Sequence, residues 1–453
     1  MNEMRNLKLA LAIAAGLALA GCDTVRGLFD TDDPPLQGRR LAVLPTADII
    51  RADTRISDVR VLLPRPAPNA AWPQHAGYPN HAMHHLALGK DPREAWSVRI
   101  GSGSARQGML SLSKSRRLLA RPVIGDGRVF TMDSNGSVRA FDLKTGRRLW
   151  SQAALPRHER DGDVGGGIAY HDGRIIAATG AAEVLALEAA SGRVLWRSNT
   201  GAPMRSPPAV SDGRLFVVTS ENTVIAFDAK DGKKLWNHEG VAALTGILGG
   251  GAPAVDEGVV VAPQSTGEVV ALRAESGRPI WTENVGVARR GDPTGGLSAI
   301  IASPVIDRGV VYAVSNAGRL AAIELGSGRR LWDLEMNGVQ TPWAAGDYVF
   351  VLTSRAVLAA IRRIDGRVRW AIRLDRFTDD DDLVDGRPFW TGPVLAGDRL
   401  VVAGSHGEAL AVSPYTGEVI GWIPLNRGVF IPPAVAQRTM LFLDDSGRLT
   451  ALR

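Results

Sequence analysis

From about residue 91 onward, short apolar runs alternate with tight turns, and no amphipathic helical stretch of useful length interrupts them. "ARPVIGDGRVF", "SPPAVSDGRLFVV", "GAPAVDEGVVVAP", "ASPVIDRGVVYAV", "TPWAAGDYVFVL", "TGPVLAGDRLVVAG" and "IPPAVAQRTMLFL" are variants of one theme, and "GGGIAYHDGRIIAAT" is an eighth without the proline. Each is a short apolar run, a turn such as Asp126-Gly127 or Asp212-Gly213, and a β-branched run, which predicts a β-hairpin. The stretch that follows, such as "SVRAFDL", alternates and predicts a third strand. "TGRRLW" then turns back through a glycine and predicts a fourth.

The third and fourth strands carry a stricter signature. Alanine is followed by glycine six residues on and tryptophan four beyond that, at Ala140/Gly146/Trp150, Ala186/Gly192/Trp196, Ala226/Gly232/Trp236, Ala271/Gly277/Trp281, Ala322/Gly328/Trp332 and Ala360/Gly366/Trp370. A seventh copy has Ala411 and Gly417, with Trp422 one residue late, and an eighth stops at Ala451, two residues before the end. A period of this size with four strands per unit predicts an all-β, eight-bladed β-propeller of four-stranded antiparallel blades. Eight hairpins and eight third strands leave one fourth strand missing. "REAWSVRI", containing Trp96, stands before the first hairpin and is expected to close the last blade. The eight tryptophans Trp96, Trp150, Trp196, Trp236, Trp281, Trp332, Trp370 and Trp422 are expected to be packing anchors, each a large apolar surface with one N–H to satisfy.

This Ala–Gly–Trp register resembles the tryptophan-docking motif of the quinoprotein propellers, the PQQ-binding-like repeat family, over residues 91–453. The resemblance implies a fold; function has to come from a site.

The remainder of the chain changes the picture in its own way. Arg5 and Lys8 precede an apolar stretch, Leu9 to Leu19, too short to be a permanent span, which reads as a signal peptide over residues 1–21. "LAGC", Leu19 to Cys22, resembles the lipobox of bacterial lipoproteins, which implies lipidation of Cys22 and anchoring by several acyl chains. Cys22 is the one cysteine of the chain, so intrachain disulfides, CxxC redox pairs and a cysteine nucleophile are all excluded. Residues 22–90 are rich in proline, small residues and histidine and read as a tether, partly ordered near Trp72, with a strand or two expected within 39–64. Net charge is +6 without a Lys/Arg-rich run, which argues against nucleic acid.

Local clusters offer little chemistry. His81, His84 and His85, with His75 nearby, lack a regular element to aim them at a metal. "TDDDDLVDG" (378–386) lacks calcium-loop spacing and reads as a solvated interblade loop. "GSGSARQG" (101–108) lacks the strand and helix that a phosphate cradle needs.

Two branches of the propeller superfamily then compete. A PQQ-dependent dehydrogenase implies a catalytic carboxylate, Ca²⁺ and, in many members, adjacent cysteines that this chain does not have. Signal peptide, lipobox, tether and one eight-bladed ring together resemble the BamB family of outer-membrane assembly lipoproteins, in its alphaproteobacterial form. That resemblance implies no cofactor and no catalysis. It implies a scaffold at the periplasmic face of the outer membrane, within the β-barrel assembly (BAM) complex, beside its other subunits and nascent outer-membrane proteins. Asp23, after the lipidated cysteine, is in enterobacteria a signal for inner-membrane retention. The resemblance further implies that two interblade loops bind the POTRA region of BamA. These are 238–253, with Leu244, Thr245, Gly246 and Leu248, and 285–304, with Arg289, Arg290 and Leu297. The enterobacterial pattern has an arginine in the first loop and acids in the second. Here 242–251 holds no arginine and 297–301 no acid, so the contact is expected to be more apolar.

Overall fold

The structure, a computed structural model, describes residues 50–104, 118, 120–155, 166–204, 206–241, 250–286, 300, 302–316, 318–374 and 388–453. Signal peptide, Cys22 and Asp23 lie outside the described residues. Residues 50–453 form one compact unit. It is built of eight four-stranded antiparallel sheets, the blades of a propeller. Blades 1 to 7 span residues 123–153, 167–199, 209–238, 254–284, 305–335, 343–373 and 390–424. Blade 8 joins three strands from 434–452 to Glu94–Arg99, which pairs with Arg448–Leu452. The first strand of the ring thus closes the last blade, and Arg93 and Arg453 exchange backbone hydrogen bonds of 2.7 and 2.9 Å at the seam.

Within a blade the repeated residues form one row. In blade 1, Val123, Phe130, Ala140 and Trp150 are successive partners across the four strands. Alanine adds no bulk beyond Cβ, so Trp150 lies over Ala140 and meets Phe130 at 6.0 Å between ring centroids. Trp236 meets Phe216, Trp332 meets Tyr312 and Trp370 meets Phe350 in the same way, at 5.8–6.0 Å.

Each ring also reaches the next blade. The indole N–H of Trp96, Trp150, Trp196, Trp236, Trp281, Trp332 and Trp370 donates to the carbonyl of Leu143, Ala189, Ala229, Ala274, Leu325, Arg363 and Pro414, at 2.6–3.3 Å. The turn glycine of that neighbouring blade lies against the ring. Gly192 has φ +77°, and a Cβ there would sit 2.6 Å from Trp150. Glycine is therefore needed twice over, for its backbone conformation and for the closeness of the indole.

Trp422 departs from this scheme and corrects the expectation made for it. In blade 7, Ala411 pairs with Gly421, so glycine occupies the docking place. Successive side chains of a strand face opposite ways, and a delay of one residue turns Trp422 to the other face, 66% exposed. Blade 8 also has no third-to-fourth-strand turn for such a ring to cover. The first strand of the ring and the C-terminal strand meet there instead.

The described proline-rich segment is irregular, with isolated bridges and a tight reversal between Gln74 and Gly77, and within residues 50–64 it forms a short 3-10 turn, Thr54–Ile56, rather than the strands expected there. From Asn69 to Leu86 it visits the innermost strands of the blades in ring order. Asn69 bonds Val435 of blade 8, Trp72 exchanges two bonds with Ile124 of blade 1, and Pro73 accepts from Tyr170 of blade 2. The Gln74 side chain bonds both backbone groups of Val210 in blade 3, and Pro79 and Asn80 accept from Val255 and Ile306 of blades 4 and 5. His84 accepts from the Trp343 indole of blade 6, and Leu86 bonds Leu395 and Gly397 of blade 7. One circuit of this strap touches all eight blades. Trp72 is fully buried at its centre, stacked on Trp343 at 6.2 Å.

Candidate functional site

An interblade loop joins the outermost strand of one blade to the innermost strand of the next. It leaves the blade at the end opposite the hairpin turns that flank the strap, such as Gly346 beside Leu62 and Gly397 beside Leu88. The propeller therefore has a strap face and a loop face. Residues 242–249, with Leu244, Thr245, Gly246 and Leu248, and residues 287–299, with Arg289, Arg290 and Leu297, lie outside the described residues. Their feet are described.

The first loop leaves blade 3 through Val241, 68% exposed, whose carbonyl accepts from Asn222 Nδ2 at 2.6 Å. Asn222 Oδ1 accepts from the backbone and hydroxyl of Ser265 in blade 4, at 3.0 and 2.9 Å. The loop returns at Ala252, whose N–H donates to Ser303 Oγ at 2.9 Å. The second loop leaves blade 4 through Val285, fully buried, whose carbonyl accepts from Ser315 Oγ of blade 5 at 2.9 Å. It returns at Ile300, which bonds the Gln264 carbonyl at 3.3 Å. The feet of the two loops thus share one footing. Gln264 lies between the feet, 1% exposed, with neither end of its amide bonded. Sequence reading found the loops by length and missed this polar footing. A buried Asn, Gln or Ser in the second-to-third-strand turns of successive blades was the available signal.

On the axis, a cavity with room for about one water-sized sphere (≈ 10 Å³) is lined by Ala76, His81, Arg121, Thr341, Trp343, Gly392, Pro393 and Val394. A three-ring quinone cofactor does not fit among these residues, since small-molecule sites run to about 300–1,000 Å³. A wider cleft of about 640 Å³ lies on the strap face, between strap residues such as Tyr78 and His84 and the hairpin turns of blades 3 and 4.

The histidines are held apart. His81 Nδ1 donates to the Pro304 carbonyl and His85 Nδ1 to the Pro64 carbonyl, both at 2.7 Å, while His85 Nε2 accepts from the Asp398 N–H at 3.0 Å. His84 Nε2 lies 3.8 Å from Asp307. Among the described residues no group of three or more His, Cys, Asp or Glu is arranged to hold a metal ion. Burial pushes the His81 imidazole down to about 4, and it likewise holds His75 well below the usual histidine range, with the Arg121 charge acting in the same direction on both.

Comparison with known proteins follows the fold. The sequence model of the family described as outer membrane protein assembly factor BamB matches residues 88–161 and 134–372. A protein named outer membrane protein assembly factor BamB from Moranella endobia is 25% identical over 368 residues, covering 80% of this chain and 90% of that protein. The crystal structure of BamB from Moraxella catarrhalis superposes with a TM-score of 0.65 at 18% identity, covering 80% of this chain and all of that one. Quinohemoprotein alcohol dehydrogenase from Comamonas testosteroni gives a TM-score of 0.62 at 14% identity, over 89% of this chain and 82% of that one. Identities this low speak for the shared propeller alone.

Proposed function

Because the chain belongs to the BamB family, we propose that it is a non-catalytic scaffold of the outer-membrane β-barrel assembly complex. In this reading the two loops between blades 3, 4 and 5 bind the POTRA region of BamA and bring nascent outer-membrane proteins to it. The observation that supports it best is the common footing of the loops on Asn222, Gln264 and Ser303. A rigid base under neighbouring loops limits the ordering cost of a partner surface. Leu244 and Leu248 supply the apolar contact, with Thr245, Gly246, Arg289, Arg290 and Leu297 around it. Acyl chains on Cys22 hold the scaffold at the periplasmic face of the outer membrane and raise its effective concentration there. The fit of the axial residues is against a quinone, so no redox step is assigned.

The test is co-purification from native membranes. The full chain is expected to bring down BamA, and the double variant Leu244→Asp, Leu248→Asp to lose most of it while keeping its unfolding midpoint. Unchanged recovery of BamA with the folded double variant would remove these loops as the contact.

A further inference from the structure

Arg121 precedes the innermost strand of blade 1, and strand register fixes its counterparts in the other blades. They are Gly167, Pro207, Ala252, Ser303, Thr341, Gly392 and Pro432. Seven small or cyclic residues and one arginine thus line the same level of the channel. Arg121 is 7% exposed. Its Nη1 donates to the His75 carbonyl at 3.0 Å, and its Nε–H has no acceptor. Among the described residues no carboxylate pairs with it.

The contrast within the molecule is Arg363, a less deeply buried arginine. It bonds Asp307 Oδ2 at 2.5 Å and the Tyr312 hydroxyl at 2.9 Å. A guanidinium stays charged at neutral pH, and a buried charge left without a partner is costly. The second polar group on the cavity is His81, 3% exposed. Its Nδ1–H is committed to Pro304, and its Nε2 is buried without a partner. Two unpartnered nitrogens, one on a permanent cation, line one small cavity.

We propose that Arg121 and His81 hold a halide-sized monoanion, chloride in the cell, inside the propeller channel. Arg121 supplies the charge and its Nε–H. Burial and the Arg121 charge hold the free His81 imidazole neutral at cell pH, so Nε2 becomes a second donor only with a proton taken up together with the anion. The size of the cavity excludes sulfate, phosphate and dicarboxylates. A water molecule alone would accept from Arg121 and donate to the neutral His81, but it would leave the charge uncompensated. The anion would act as a counter-ion behind the strap, tying blade 1 to blades 6 and 7.

Two measurements on the full chain test this. Crystals grown in sodium bromide are expected to show a bromine anomalous peak between Arg121 and His81. The unfolding midpoint is expected to rise with chloride over gluconate, an anion too large to enter, at equal ionic strength. Arg121→Met is expected to lose both the peak and the chloride dependence. No peak, with equal midpoints in the two salts, would mean that the cavity holds water only. A peak that persists in Arg121→Met would equally overturn the assignment.

Discussion

Trp150 and Trp422 differ by one position of strand register, and everything about their environments follows from that. Trp150 lies over Ala140, touches Phe130 and donates to Ala189 of the next blade, whereas Trp422 faces outward. Trp150→Ala is expected to cost about 3–5 kcal/mol, as for other packed aromatic rings. Trp422→Ser is expected to stay within about 0.5 kcal/mol, as for an exposed site. Urea denaturation of the two variants checks the contrast. His81 gives a pH dependence whose sign is fixed. Its folded pKa of about 4 lies below that of the unfolded chain, near 6.5, so the unfolded chain takes up the proton first. The associated stability is complete above pH 6.5 and is lost as pH falls toward 4, by roughly 3 kcal/mol in total. In halide-free buffer, thermal unfolding should show this fall. His81→Asn, which tolerates the same left-handed backbone (φ 63°), should make it shallower and leave the part that His75 contributes.

At the scale of elements, the blades were legible in the sequence because each is a repeat whose apolar period and turn residues agree. Even the borrowed strand of blade 8 could be counted. The strap was not legible, for a physical reason. It meets the blades in turn at uneven spacing, partly by backbone bonds and partly through single side chains such as Asn69 and Gln74, so it has neither period nor motif. Its prolines predict non-helical chain and say nothing of where that chain runs. Arg121 was open to discovery by aligning the residue before the repeated proline. Trp422 was misplaced because spacing was read with one residue of slack, which a strand does not have. Closure can be tested directly. Deleting residues 91–100 removes Trp96 and the partner of Arg448–Leu452, and it should lower the unfolding midpoint of the whole ring by far more than any single substitution described above. A deletion variant with the wild-type midpoint would refute the closure.

At the scale of the molecule, the ring has two unlike ends. On one, the strap fastens to all eight innermost strands and covers the channel. On the other, the described feet of two neighbouring interblade loops share a polar footing. A fold common to assembly factors and to alcohol dehydrogenases does not decide between binding and chemistry. A partner bound on one face would decide it. The central claim is that the loop face meets BamA and the strap face does not, and site-specific photo-crosslinking in native membranes tests it most directly. A photoreactive residue at Leu248 is expected to give a crosslink to BamA, and one at Ser211, beside the strap, is expected to give none. A BamA crosslink from Ser211 without one from Leu248 would contradict the account.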